Sequence, residues 1–248
     1  MTPAEIAAFQ APADHLAGRI ILVTGATKGI GRALALGLGQ HGATVILSGR
    51  SQKKLDKVYD ELVAAGCPTP AMLPLDLENA LAGHYDAVAE AIGTEFGRLD
   101  GLVHNASLLL TRSPISHYDV PTWCRLLQVN LTATFALTQV CLPLLEKSAD
   151  ASVVMTASSV GRRGRAYWGG LRGLQSRRRE FGGGVGGRVR GQRVDSLQHP
   201  QSRCGADRHA GVGVSRGRRE PTEDARGDPR RLSVAARPHL PRPLGRAV

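Results

Sequence analysis

An apolar run, Arg19-Ile20-Ile21-Leu22-Val23, passes directly into Thr24-Gly25-Ala26-Thr27-Lys28-Gly29-Ile30-Gly31. An amphipathic stretch follows, with Ile30, Leu34 and Leu38 recurring at helical spacing up to His41. A short apolar strand, a turn with glycines at GxxxGxG spacing and a helix therefore follow one another without a gap. A turn this tight needs backbone without Cβ atoms, and it leaves the first N–H groups of the helix free. Those N–H groups and the helix dipole suit a phosphate or pyrophosphate. Gly25, Thr27, Lys28, Gly29, Ile30 and Gly31 are the candidate cradle.

The same alternation continues downstream. Thr44–Ser48 predicts a second strand, and Ser51 is placed to cap a helix running to about Ala65. Ala71–Leu75 is a third strand, Gly83–Phe96 a helix and Gly101–His104 a fourth strand. A long helix over about Thr122–Glu146 leads to a fifth strand, Ser152–Thr156. Strands this short and apolar, separated by helices, imply an α/β fold: a parallel sheet covered on both faces.

Charge divides the chain in two. Residues 1–161 carry 11 Lys and Arg against 14 Asp and Glu, whereas residues 162–248 carry 21 against 7. All basic residues of the second part are arginine, and after Trp168 its only Phe, Trp or Tyr is Phe181. So few large apolar side chains cannot offset the entropy of ordering, and no stable fold is expected over residues 171–248. The overall net charge of +11 is thus a property of the tail, and does not mark the whole chain as a nucleic-acid binder. The expected organisation is an N-terminal segment 1–18, a nucleotide-binding domain 19–170 and an Arg/Gly-rich tail 171–248. Cys67, Cys124, Cys141 and Cys204 lack metal-ligand spacing and are expected to be reduced thiols of a cytoplasmic protein, with no metal. Neither a membrane span nor an export signal is expected.

The strand ends carry the remaining candidates. In a doubly wound sheet the tip of the second strand lies beside the adenosine ribose, where an acid suits a 2′-hydroxyl and a cation suits a 2′-phosphate. That tip is Ser48-Gly49-Arg50, so Arg50, helped by Lys28 and Arg32, argues for NADP over NAD. Asp76 and Leu77 follow the third strand at the expected adenine edge; a turn or capping role for Asp76 is equally open. Asn105 and Ala106 follow the fourth strand, where the backbone should pass the cofactor. His104, just before them, is expected to be a packed histidine.

Taken together, Thr24–Gly31, Asp76, Asn105-Ala106, Val129-Asn130 and Ser158 followed by Gly161 resemble the short-chain dehydrogenase/reductase family over about residues 17–170. Within it, His104–Leu109 and Arg162–Gly170 look most like a group of bacterial oxidoreductases. The resemblance implies a Rossmann-type doubly wound sheet and hydride transfer between a nicotinamide cofactor and a small-molecule carbonyl or alcohol. It also implies that Ser158 holds the substrate oxygen and that Asn130 serves a proton relay. Ser107 stands where the family often has glycine. The family's tyrosine acid/base and its lysine partner fall at positions 171 and 175, where this chain has Leu171 and Gln175. Tyr167 is out of register and is read as a loop residue.

Codon degeneracy offers a cause. Read one base later, the codons from Leu171 can encode Tyr-Gly-Val-Ser-Lys, and those of Ser202–His209 can encode Pro-Gly-Ala-Val-Arg-Thr-Asp-Met, both family-like. A one-base frameshift near residue 170 follows, and with it a sheet truncated after about the fifth strand. The family's homo-oligomer interface is expected to be lost with the missing elements. Two other functional classes stay open: a nucleotide-binding pseudoenzyme, and an Arg/Gly-rich RNA-binding tail on a nucleotide-binding fold. The tail lacks interleaved aromatics, which counts against the second.

Overall fold

The computed structural model describes residues 11–109, 114–157 and 193–198. Its strands are β1 (Ile20–Thr24), β2 (Thr44–Gly49), β3 (Ala71–Pro74), β4 (Gly101–His104), β5 (Ser152–Ala157) and β6 (Arg193–Gln198). Between them lie α1 (Gly29–Gln40), α2 (Gln52–Ala64) and α3 (Ala82–Phe96). The stretch between β4 and β5 holds α4 (Val120–Leu127), a π-helical turn (Gln128–Thr132) and α5 (Ala133–Leu145). The strands form one sheet in the order β3-β2-β1-β4-β5-β6, and every pairing is parallel. This is the doubly wound, Rossmann-type sheet expected from the sequence, with its switch point between β1 and β4.

The central positions of β1 to β5 are apolar because both faces are covered. Leu22, Ile46, Leu73, Leu102 and Val153 point to one side and pack with Ile92, Leu137 and Leu144 of α3 and α5. Ile21, Val23, Val45, Leu47 and Met72 point to the other and pack with Ala35, Leu55, Val58 and Leu62 of α1 and α2. The period-2 alternation of a strand thus feeds two cores instead of one core and water. At the lower edge Asp100 fastens the elements together. Its carboxylate accepts hydrogen bonds from the Ile20 N–H at 2.9 Å, Ser148 Oγ at 2.6 Å and Arg98 Nε at 3.1 Å. Burial alone would raise this carboxyl's pKa, but the bonds from Ser148, Ile20 and Arg98, with the Arg98 charge, outweigh burial and hold it below the ordinary value.

Four features depart from the sequence reading. The sheet does not stop at β5: Arg193–Gln198 pairs along its length, from Ser152 opposite Arg193 to Ala157 opposite Gln198. An open strand edge offers a row of N–H and C=O groups, and pairing them asks little of side chains. The segment beyond residue 170 therefore contributes a strand where none was expected; its remainder lies outside the described residues. Second, the long helix is interrupted by the π turn, which a periodic apolar pattern does not announce. Third, Ser51 occupies the N-cap of α2, but its hydroxyl makes no cap bond. Asp119 does cap α4, accepting from the Thr122 N–H at 2.6 Å. Fourth, Val120–Leu145 is long and apolar enough to span a bilayer by length and composition. Its buried residues Leu137, Cys141, Leu144 and Leu145 pack in the sheet's core.

Candidate cofactor and active site

The C-terminal ends of β1 to β4 open onto a cleft of about 350 Å³. Eight of the sequence-predicted cofactor residues line it: Gly25, Thr27, Lys28, Arg50, Asp76, Leu77, Asn105 and Ala106. Gly29, Ile30 and Gly31 form the first turn of α1 just behind this lining.

The glycines are required by geometry. Gly25 has φ +65° and a Cβ there would lie 2.9 Å from the Ala106 Cα. A Cβ on Gly31 would sit 2.2 Å from the Gly25 carbonyl oxygen and 2.4 Å from Asn105 Nδ2. The glycine-rich turn is thus pressed against the loop after β4. Thr24 joins the two. Its Oγ1 donates to the Val103 carbonyl at 3.2 Å and accepts from the Asn105 and Ala106 N–H groups, each at 3.1 Å. Asn105 Nδ2 donates to the carbonyls of Thr24 at 3.3 Å and Gly25 at 3.2 Å, while its Oδ1 accepts from Thr156 Oγ1 at 3.4 Å. The Asn105 side chain is therefore an internal strut between the glycine turn and β5.

The cleft fits an anionic dinucleotide. Lys28 stands at the N-cap of α1, and its side chain makes no cap bond to the leading N–H groups of the helix. Gly29 has φ +54° with open space on its Cβ side, which leaves room for a group to approach. Arg50 is 70 % exposed at the tip of β2, where it stands 3.8 Å from Glu78. Arg32, expected to assist it, does not. One turn into α1, its guanidinium faces α2 and pairs with Glu61 at 2.8 Å. That pairing raises the Arg32 pKa, first through the hydrogen bond to Glu61 and then through its charge. Asp76 takes the turn role. Its carboxylate accepts from the Glu78 N–H at 3.1 Å and from Asn79 Nδ2 at 2.8 Å, while the residue also lines the cleft.

Asn130 lies in the π turn, fully buried. Its Oδ1 accepts from Ser107 Oγ at 2.7 Å and from the Leu108 N–H at 3.0 Å, and its Nδ2 donates to the Leu108 carbonyl at 2.8 Å. The side chain thus fixes the loop after β4, and Ser107, where the family often has glycine, supplies one of its three partners. Gln128 is a contributor that sequence reasoning missed. Its Nε2 donates to the carbonyls of Leu77 at 3.3 Å and Ala80 at 3.2 Å, anchoring the loop after β3. Only its neighbourhood to Asn130 could have hinted at this. His104 is buried and bonded to Thr138 Oγ1 at 2.8 Å, a packed histidine as expected. Ser158, Tyr167, Leu171 and Gln175 lie outside the described residues.

Comparison with known proteins agrees with this arrangement. The sequence model described as short chain dehydrogenase matches residues 19–170. The chain is 45 % identical over 161 residues to the uncharacterized oxidoreductase YciK of Escherichia coli K12. That match covers 65 % of this chain and 64 % of YciK. A short-chain dehydrogenase structure from Pseudomonas syringae superposes with TM-score 0.74 at 41 % identity, covering 79 % of this chain and 81 % of that one. A Shigella flexneri 2a short-chain dehydrogenase, solved in complex with NADP, superposes with TM-score 0.71 at 40 % identity over 74 % of this chain and 77 % of that one. With its glycine turn, its switch-point cleft and its buried asparagine in the π turn, the chain belongs to the short-chain dehydrogenase family.

Proposed function

We propose that the cleft binds NADP(H) for short-chain-type carbonyl or alcohol hydride transfer, and that the chain as written binds this cofactor without turning it over. The observation that carries the binding half is the pair of cations at the cleft: Lys28 at the start of α1 and Arg50 at the tip of β2. The NADP complex of the Shigella flexneri relative, 40 % identical, supports it. When bound, the nicotinamide supplies or accepts the hydride. This chain's own residues do the rest. The α1 N–H groups and Lys28 neutralise pyrophosphate, and Arg50 pairs with the 2′-phosphate. Asn130 holds the loop after β4 in place, and Ser158 orients the substrate oxygen.

The second half rests on Leu171 and Gln175. Leucine carries no proton to give, and glutamine no charge to lower a neighbour's pKa. We infer a one-base shift near residue 170 as the origin of both. Codon degeneracy permits tyrosine and lysine there in the shifted reading, and a family-like pattern downstream. The test compares NADPH oxidation by the two chains across a panel of aldehydes and ketones. The restored chain is expected to turn over. The chain as written should be slower by at least about 10²-fold, the usual cost of a missing general acid. Equal rates would overturn this reading.

A further inference from the structure

The loop after β3 brings two carboxylates, Asp76 and Glu78, to a cleft whose cations are Lys28 and Arg50; Asp76 is taken up by the Glu78 N–H and Asn79, and Glu78 faces Arg50. Glu78 lines the cleft beside Arg50, with Oε2 3.8 Å from Arg50 Nη1. Its other oxygen, Oε1, accepts from Arg125 Nε of α4 at 2.5 Å. The Glu78 side chain is only 17 % exposed, against 70 % for Arg50 and 48 % for Arg125. Gln128 holds the backbone of the same loop through the Leu77 and Ala80 carbonyls. An anion fixed here opposes a 2′-phosphate twice: it repels the phosphate and competes for Arg50. Arg125 offsets both effects by holding one carboxylate oxygen and part of its charge.

We propose that Glu78, held by Arg125, sets how strongly this cleft prefers a 2′-phosphate over a 2′-hydroxyl. Glu78 is the specificity residue and Arg125 a positioning residue that acts through it. The proposal rests on the NADP reading above. A like charge near a bound phosphate weakens it, and a nearby opposite charge restores it. At a partly exposed site each effect is a modest factor, and salt screens it.

The test is equilibrium binding of NADPH and NADH to the full chain at low ionic strength, read by nicotinamide fluorescence, so no turnover is needed. Glu78→Gln keeps the side chain's shape and should tighten NADPH about threefold to tenfold while leaving NADH within about twofold. Arg125→Gln frees Glu78 to engage Arg50 and should weaken NADPH by a similar factor, again sparing NADH. In the double variant the Arg125 effect should vanish, because its route through Glu78 is gone. If the unmodified chain prefers NADPH but neither variant shifts the NADPH-to-NADH ratio, the inference fails and the NADP reading stands. The inference also fails if Arg125→Gln weakens NADPH equally with and without Glu78, since Arg125 would then act on the phosphate directly. If the unmodified chain shows no preference, or binds neither nucleotide, the NADP reading fails and this inference with it.

Discussion

Two glycines of one helix should respond to the same substitution with opposite sign. Gly31 and Gly37 both lie in α1. At Gly37 a Cβ meets nothing within 4 Å, so Gly37→Ala should gain helix propensity and stabilise the fold by about 0.5–1 kcal/mol. At Gly31 the Cβ would meet the Gly25 carbonyl oxygen at 2.2 Å and Asn105 Nδ2 at 2.4 Å. Neither is a flexible side-chain end. The first is backbone of the glycine turn, and the second is bonded to Thr24 and Gly25. The turn or the strut must therefore move by about 1 Å to reach ordinary contact. Overpacking of this kind costs about 1–3 kcal/mol, and each strained Asn105 bond adds about 0.5–1 kcal/mol. Gly31→Ala should thus lose roughly 2–5 kcal/mol, or roughly 5–20 °C in Tm for a domain of this size. Urea unfolding of the full chain, followed by circular dichroism, compares the two. A stable Gly31→Ala chain, or the same sign at both positions, would refute the packing of the turn against the loop after β4.

Thr24→Val removes the hydroxyl that accepts from the Asn105 and Ala106 N–H groups, and should cost about 2–3 kcal/mol in the same unfolding assay; a loss below about 0.5 kcal/mol would contradict that tie. Asp100 has a folded pKa below its unfolded one, so its stabilisation is present above the unfolded carboxyl range and fades as pH falls through the folded value. Asp100→Asn should therefore destabilise at pH 7, with the difference from the parent shrinking below about pH 4, as a pH series of urea midpoints will show. The Cys141 thiol is pushed up to about 12 by burial, whereas Cys124 is exposed. A thiol reagent at pH 8 should label Cys124 at once and Cys141 only on unfolding, by peptide mass spectrometry; early labelling of Cys141 would mean that α5 is not packed in the core.

The sheet was legible because buried parallel strands write themselves as unbroken apolar runs. Ile20–Val23 and Val45–Leu47 could be little else, and their spacing by helices left one architecture. The glycine turn was legible because only glycine fits at Gly25 and Gly31. What side chains do to one another was less so. Arg32 and Arg50 look alike in sequence, but helical phase turns Arg32 toward Glu61 and strand geometry puts Arg50 at the cleft. The Asn130 environment depends on a π turn, which needs only one displaced hydrogen-bond register in an otherwise ordinary helix and leaves no compositional mark. Arg193–Gln198 joins the sheet through backbone pairing, which a reading based on apolar content does not register.

The claim that the cleft is built for a 2′-phosphate is tested most directly by Arg50→Asp. Calorimetric titration of the parent and the variant full chains with NADPH and NADH reads it. Loss of one charge-assisted pair is worth about 1.5–3 kcal/mol, so NADPH should bind roughly tenfold to a hundredfold more weakly, with NADH unchanged or tighter. Equal weakening of both nucleotides would contradict the account.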